Sequence, residues 1–145
     1  MTIQSKTATI GWYNDALQSS FSDAKLHGFV DHLAALGYTG ITYRFNVNVA
    51  KSGEVLNTYK QDRLDQIIAY TQSKGMGVNL GINWVYDDTQ DIVGTGWPSI
   101  PDGFDTAKFL AGVTQYFKTA AAHFEAVKAE TLFVFPALIH ASRPP

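Results

Sequence analysis

The 145-residue sequence contains no cysteine, which excludes a disulfide framework, a thiol nucleophile and a thiolate metal site. Charge is also sparse, because charged residues make up 17% of the chain and the formal net charge is −2. No run of lysine or arginine with interleaved aromatics occurs. The sequence therefore predicts neither a nucleic acid nor an anionic membrane as a partner.

Long hydrophobic runs are missing as well. No apolar stretch approaches the roughly 20 residues that a membrane helix needs. The N-terminal segment "MTIQSKTATIGWYNDALQ" has no basic region leading into an apolar run. We therefore expect no membrane-spanning or export segment in this chain, and the sequence leaves the compartment open.

Several catalytic and metal-binding patterns are absent. No Gly-x-Ser-x-Gly motif occurs, and the only Gly-x-Gly with a nearby aromatic, Gly94–Gly96, precedes Trp97 and Pro98 instead of a helix. His27 and His32 are five residues apart, a spacing that does not share a helix face. We expect no metal site and no cofactor.

The residues that are present indicate repeated strand and helix units. The segment "TATIGWY" reads as a strand, and Ser22 is a good N-cap for the helix that follows. Apolar residues then recur at three- and four-residue steps, and Gly37 supplies a C-cap signal. The recurring residues are Leu26, Phe29, Val30, Leu33 and Leu36.

The same unit is repeated along the chain. The strand "GITYRFNVNV" alternates between apolar and polar residues and, after a polar loop, a helix with the inner residues Leu64, Ile67, Ile68 and Thr71 ends at Gly75. The strand "GVNLGINWVY" comes next. A long amphipathic helix then leads to "TLFVFPAL" as a fourth strand. Its apolar residues are Phe109, Leu110, Val113, Tyr116, Phe117, Ala120, Phe124 and Val127.

This order predicts an α/β fold of four parallel strands and three main helices. Two architectures fit, an open doubly wound sheet or a (βα)4-type partial TIM barrel. The polar alternation of Thr42, Arg44, Asn46 and Asn48 favours the barrel, whose interior accepts such residues more readily than a helical layer does. We assign residues 1–138 to the half barrel and 139–145 to an irregular tail.

Ligands of both architectures bind beyond the carboxyl ends of the strands. Aromatic rings, amides and carboxylates gather at these ends, and together they are typical of a site for a polyhydroxylated ligand. Each residue alone also has a structural interpretation, such as rim packing or a local backbone hydrogen bond. The predicted substrate-binding residues are Trp12, Asn46, Asn48, Asn83, Trp84, Asp87, Asp88 and Trp97.

From "LAALGYTGITYRFNVNV" through "QDRLDQIIAYTQSKGMGVNLGINWVYDD" to "ETLFV", the chain resembles the N-terminal half of TIM-barrel glycoside hydrolases, in particular the mannanase-like group related to family 113. The resemblance implies a retaining mechanism with an acid/base carboxylate after strand four and a nucleophile on strand seven. Here strand four runs into "FPALIHASRPP", and no Asp or Glu follows Glu130. We assign no catalytic residue.

The leading hypothesis is a glycoside-hydrolase-like barrel fragment that contacts an oligo- or polysaccharide and lacks catalysis alone. One alternative is a noncatalytic sugar-binding module in which Trp84 and Trp97 stack on a saccharide. Another is a self-associating half barrel, whose partner is a second copy or the missing C-terminal half, because four strands cannot close an eight-stranded barrel.

Overall fold

The computed structural model describes residues 5–11, 22–86, 102–129 and 131–134. Within these ranges the chain forms five strands and three helices. Their order is β1 Thr7–Gly11, α1 Asp23–Ala35, β2 Gly40–Val49, β3 Val55–Thr58, α2 Gln61–Ser73, β4 Gly77–Tyr86, α3 Thr106–Ala126 and β5 Thr131–Val134. The predicted tail, 139–145, lies outside the described residues.

Four of the strands run parallel in the spatial order β1-β2-β4-β5, which is also their order along the chain. A doubly wound sheet would instead reverse its strand order at a switch point. The α/β prediction is therefore confirmed, and the topology is that of a partial TIM-barrel-like sheet.

Strand β3 corrects the prediction that all strands are parallel. It pairs antiparallel with the end of β2, with Thr58 opposite Val47 and Asn57 opposite Asn48. It occupies the edge of β2 that β1 leaves open, because β1 pairs only with residues 40–44 and β4 takes the other edge. The sequence analysis interpreted this segment as a polar loop, because its four residues do not alternate between apolar and polar side chains as a half-buried strand does.

The helices lie side by side on one face of the sheet. The carboxylate of Asp31 on α1 accepts a hydrogen bond from the Tyr70 hydroxyl on α2 and pairs with Lys74 Nζ at 2.7 Å. From α2, Gln72 Nε2 donates to the Val127 carbonyl at 2.9 Å, just after α3. This single helical layer is what a barrel wall requires.

The core lies between the helices and the apolar face of β2. The Thr71 hydroxyl on α2 donates to the Ile67 carbonyl at 2.7 Å, so Tyr43 must be the donor in its 2.6 Å bond with Thr71. Burial raises the pKa of Tyr43 to about 12. The Phe45 ring packs on Phe124 of α3 at 5.4 Å. The odd-numbered residues of β2 thus face the helices and the even-numbered ones face away.

The helix boundaries follow the signals in the sequence. The Ser22 hydroxyl accepts from the Lys25 backbone N–H, and the Asp105 carboxylate caps α3 in the same way through Lys108 N at 2.9 Å. Gly37 and Gly75 follow α1 and α2 with φ of 77° and 74°, in the left-handed region that glycine tolerates best. The predicted cap at Ser22 and the predicted C-cap glycines are confirmed.

Three large apolar side chains that the periodicity assigned to buried stripes are exposed. Phe29 and Leu36 on α1 and its C-cap are 44% and 52% exposed, and Leu110 on α3 is 58% exposed. Helical spacing places Phe29 and Leu36 on the flank of α1 turned away from α2, and Leu110 on the flank of α3 turned away from α2. Among the described residues, these three side chains leave apolar surface exposed on the two outer flanks of the helical layer.

Two helix-interior glycines provide a test of how β3 packs on α3. A Cβ on Gly112 would lie 2.9 Å from Val55 Cγ2 and 3.1 Å from Val55 Cβ, whereas a Cβ on Gly28 of α1 would meet nothing within 4 Å. We expect Gly28→Ala to stabilise the fold by about 0.5–1 kcal/mol. Gly112→Ala should destabilise it, since the added methyl displaces β3. Urea unfolding of both variants measures this, and equal stabilisation by both would contradict the described contact.

Candidate functional site

The candidate site lies at the carboxyl ends of β2 and β4. The strands pair in parallel register, with Asn46 opposite Asn83 and Asn48 opposite Val85. Paired residues of neighbouring strands point to the same face, so Asn46, Asn48 and Asn83 all lie on the face away from the helices. We call this face the mouth face. It brings together three of the predicted site residues.

A directional hydrogen-bond chain joins three side chains of the mouth face. Arg44 Nη2 donates to Asn83 Oδ1 at 3.0 Å, and Asn83 Nδ2 donates to Asn46 Oδ1 at 3.3 Å. A guanidinium has donors only, so Arg44 determines which end of the Asn83 amide faces it, and Asn83 then determines the orientation of Asn46. The chain therefore ends in the Asn46 Nδ2 donor.

A second amide pair lies one step further along the strands. Asn48 Nδ2 donates to Asn57 Oδ1 on β3 at 3.2 Å, and Asn57 Nδ2 bonds the Thr58 carbonyl at 3.3 Å. Asn48 is fully buried, and its Oδ1 has no hydrogen-bond partner among the described residues. The sequence did not single out Asn57, because its segment was read as a loop. Local alternation gave no signal for it, because Val55 and Leu56 are both apolar and Asn57 and Thr58 are both polar.

Trp84 occupies the opposite face from the amides. Its ring makes edge contacts with Phe109, Tyr116 and Phe117 of α3 at centroid distances of 5.8, 5.5 and 6.2 Å. The residue is 7% exposed. This placement gives Trp84 a packing role between sheet and helix, so we do not include it in the site that Asn83 belongs to.

The remaining predicted residues, Trp12, Asp87, Asp88 and Trp97, lie outside the described residues. Their assignment to a substrate site stays a prediction. Within residues 5–11, 22–86, 102–129 and 131–134, no group of three or more His, Asp or Glu side chains could hold a metal ion. No helix in the same part of the chain is both long and apolar enough to cross a membrane.

The described mouth face can bind by hydrogen bonds. At the carboxyl ends of β2 and β4, the side chains on this face are Arg44, Asn46, Asn48, Asn83 and the apolar Val85, and none of them carries a carboxylate. Side-chain amides neither gain nor lose a proton at neutral pH, and a guanidinium has donors only. This arrangement presents oriented donors and acceptors, and these residues do not include a general acid or base.

Comparison with known proteins shows a likeness of fold to solved structures. No protein-family model matches the chain, and no curated protein matches its sequence. A solved structure described as a complex of a GH113 β-1,4-mannanase is similar, with a TM-score of 0.54 and 14% identity. The match covers 88% of this chain and 43% of the mannanase chain. At this identity the likeness shows a glycoside-hydrolase-like fold alone, and the chain spans less than half of that protein.

Asn83 is the side chain on which the mouth network depends. Asn83→Ala removes the acceptor for Arg44 and the donor for Asn46, so we expect a loss of about 1–3 kcal/mol in the free energy of unfolding. Asn79→Ala is the matched control, because Asn79 lies on the same strand and face and makes no side-chain hydrogen bond among the described residues. Its expected change is within about 0.5 kcal/mol. Similar losses in the two variants, measured by denaturant unfolding, would contradict the network.

Proposed function

We propose that this chain is a noncatalytic, saccharide-contacting part of a glycoside-hydrolase-like barrel. The observation that carries the proposal is the oriented chain from Arg44 through Asn83 to Asn46 at the carboxyl edge of the parallel strands. Ligands of such folds bind at this edge. The likeness to the mannanase fold supports a sugar as the ligand class, although it covers only 43% of that enzyme.

The chemistry of the amides matches that of sugar hydroxyls. Each hydroxyl both donates and accepts, so a sugar needs both kinds of partner in fixed directions. Asn46 Nδ2 supplies a donor whose direction is set by Arg44 through Asn83, and Asn46 retains 3% exposure whereas Asn48 is fully buried. The pairing of β2 with β4 holds this donor in place.

Hydrolysis requires more than these groups. A retaining glycosidase places two carboxylates about 5–5.5 Å apart, one to protonate the leaving oxygen and one to attack the sugar. The mouth-face residues of β2 and β4 supply neither, and the segment after Glu130 contains no Asp or Glu. We therefore propose binding without turnover for the chain alone.

Calorimetric titration with manno- and gluco-oligosaccharides tests this function. We expect saturable binding that Asn46→Ala weakens roughly 2- to 12-fold, the equivalent of one neutral hydrogen bond of about 0.5–1.5 kcal/mol. Asn79→Ala should bind as the unmodified chain does. An assay on β-mannan should show no hydrolysis. Absence of saturable binding to every oligosaccharide would refute the saccharide function, and robust turnover would refute its noncatalytic character.

The uncovered flanks favour an assembly role in addition. In a complete barrel each outer helix packs against another helix, and here Phe29 and Leu36 at one flank and Leu110 at the other are about half exposed. Exposed apolar clusters at an unfinished layer mark interaction surfaces. We propose that a second copy of this chain, or the remaining half of a barrel, covers them.

Sedimentation over a wide concentration range measures this association. We expect concentration-dependent dimers or larger species, and we expect the double variant Phe29→Glu, Leu36→Glu to shift the equilibrium towards monomer, because two charges would be buried without partners. Ala24→Glu on the exposed side of α1 is the control and should associate normally. A compact monomer that melts cooperatively at all concentrations would contradict self-association.

A further inference from the structure

A groove on the helix side of the sheet adjoins the mouth face along β3. It runs between β3 and the middle of α3, ends at the first turn of α2 and encloses about 410 Å³. This volume falls within the roughly 300–1,000 Å³ of small-molecule sites. The Thr58 hydroxyl on β3 lies 2.6 Å from the Tyr116 hydroxyl on α3. This contact places the groove on the side of β3 that faces α3.

One end of the groove holds an oriented imidazole. His123 Nε2 lies 3.0 Å from Asp65 Oδ1 and 3.2 Å from Gln61 Nε2, and Gln61 Nε2 also donates to the same carboxylate oxygen at 2.8 Å. If His123 Nε2 carries the proton, it donates a hydrogen bond to the Asp65 carboxylate. If Nε2 carried a lone pair instead, that lone pair would point at the carboxylate oxygen and repel it. Asp65 therefore selects the tautomer in which Nδ1 of the neutral ring is an acceptor.

The middle of the groove offers hydroxyls against an apolar wall. Burial raises the pKa of Tyr116 to about 12, so its hydroxyl keeps its proton at neutral pH. One hydroxyl of the Thr58 and Tyr116 pair donates its proton to the other in their hydrogen bond. The proton of the accepting hydroxyl is then available to a ligand. Val55, Leu56 and Ala120 form the apolar part of the lining, and Gly112 adds no side chain to it.

The charge of the lining limits the ligand class. The described lining residues include no Asp, Glu, Lys or Arg, and Asp65 beside His123 counteracts any attraction of that ring for an anion. The amides of Gln61 and Gln115 add donors and acceptors in equal number. A neutral molecule with several hydroxyls and a small apolar surface satisfies this lining.

We propose that this groove is a second binding site, for a small neutral polyhydroxylated molecule of about the size of one sugar ring or a cyclitol. It adjoins the mouth face through β3, because Asn57 lines the groove and also bonds Asn48. Its recognition elements are the oriented His123, the hydroxyl pair and the Gln61 amide.

Nuclear magnetic resonance titration of the full chain with D-mannose and myo-inositol tests the site. Saturable shifts should appear at the Gln61 and Thr119 amides and the His123 ring, with weaker or no response to glucuronate. Thr119→Leu places an apolar side chain in the groove and should weaken binding at least roughly tenfold. Thr114→Leu is the matched control, since each threonine is on α3, is exposed and bonds the carbonyl four residues earlier, but Thr114 does not line the groove.

The outcomes separate this site from the mouth. Shifts confined to Asn46 and Asn83 would overturn the groove proposal and leave the saccharide function of the mouth intact. Groove shifts without mouth shifts would support the groove alone. Equal affinity of Thr119→Leu and the unmodified chain, tighter binding of glucuronate, or no saturable groove shift at millimolar mannose or inositol would each overturn the proposal.

Discussion

The pairing of β2 with β4 is the constraint on which the rest of the structure depends. Gly40–Val49 and Gly77–Tyr86 run in unbroken parallel register, so each residue's face is determined along both strands at once. One face carries the fully buried residues that anchor the helices, and the other carries the amide network. A slip of one residue would expose Phe45 and Ile82 on the mouth face and bury Asn46 and Asn83 under the helices. Core packing and the amide network therefore specify the same register.

The same alternation shows how much the sequence could predict. Periodicity predicted the helices and the inner stripe of α2, and residue type predicted the boundaries at Ser22 and the two glycines. Both kinds of signal are local in the sequence. Asn83 and Trp84 are adjacent in a strand, so their side chains must point to opposite faces. The sequence already implied this, but both residues were assigned to the site because both lie near the end of the strand. The strand β3 could not be predicted, because its pairing depends on the short reach of β1. The exposure of Phe29 could not be predicted either, because periodicity identifies the apolar face of a helix but not whether another element covers that face.

The mouth network is more informative about specificity than about stability. Partly burying Arg44 beside two amides carries a desolvation cost that the hydrogen bonds only roughly offset. What the arrangement provides is direction, because the donor-only guanidinium orients both amides. Among the described residues, Asn48 Oδ1 adds a buried acceptor without a protein partner, which costs stability unless an ordered water satisfies it. These features indicate a network that fixes side-chain directions more than it adds stability.

Strand β3 connects the two proposed sites physically. Its Asn57 bonds Asn48 on the mouth face, and the next residue, Thr58, bonds Tyr116 on the groove face. Adjacent strand residues point to opposite faces, so any shift of this four-residue strand moves both contacts together. Its close packing on Gly112 holds it against α3 and limits such shifts. A ligand that orders β3 in the groove would therefore also restrict Asn48, and the two sites would be coupled through a single short strand without any larger change in the fold.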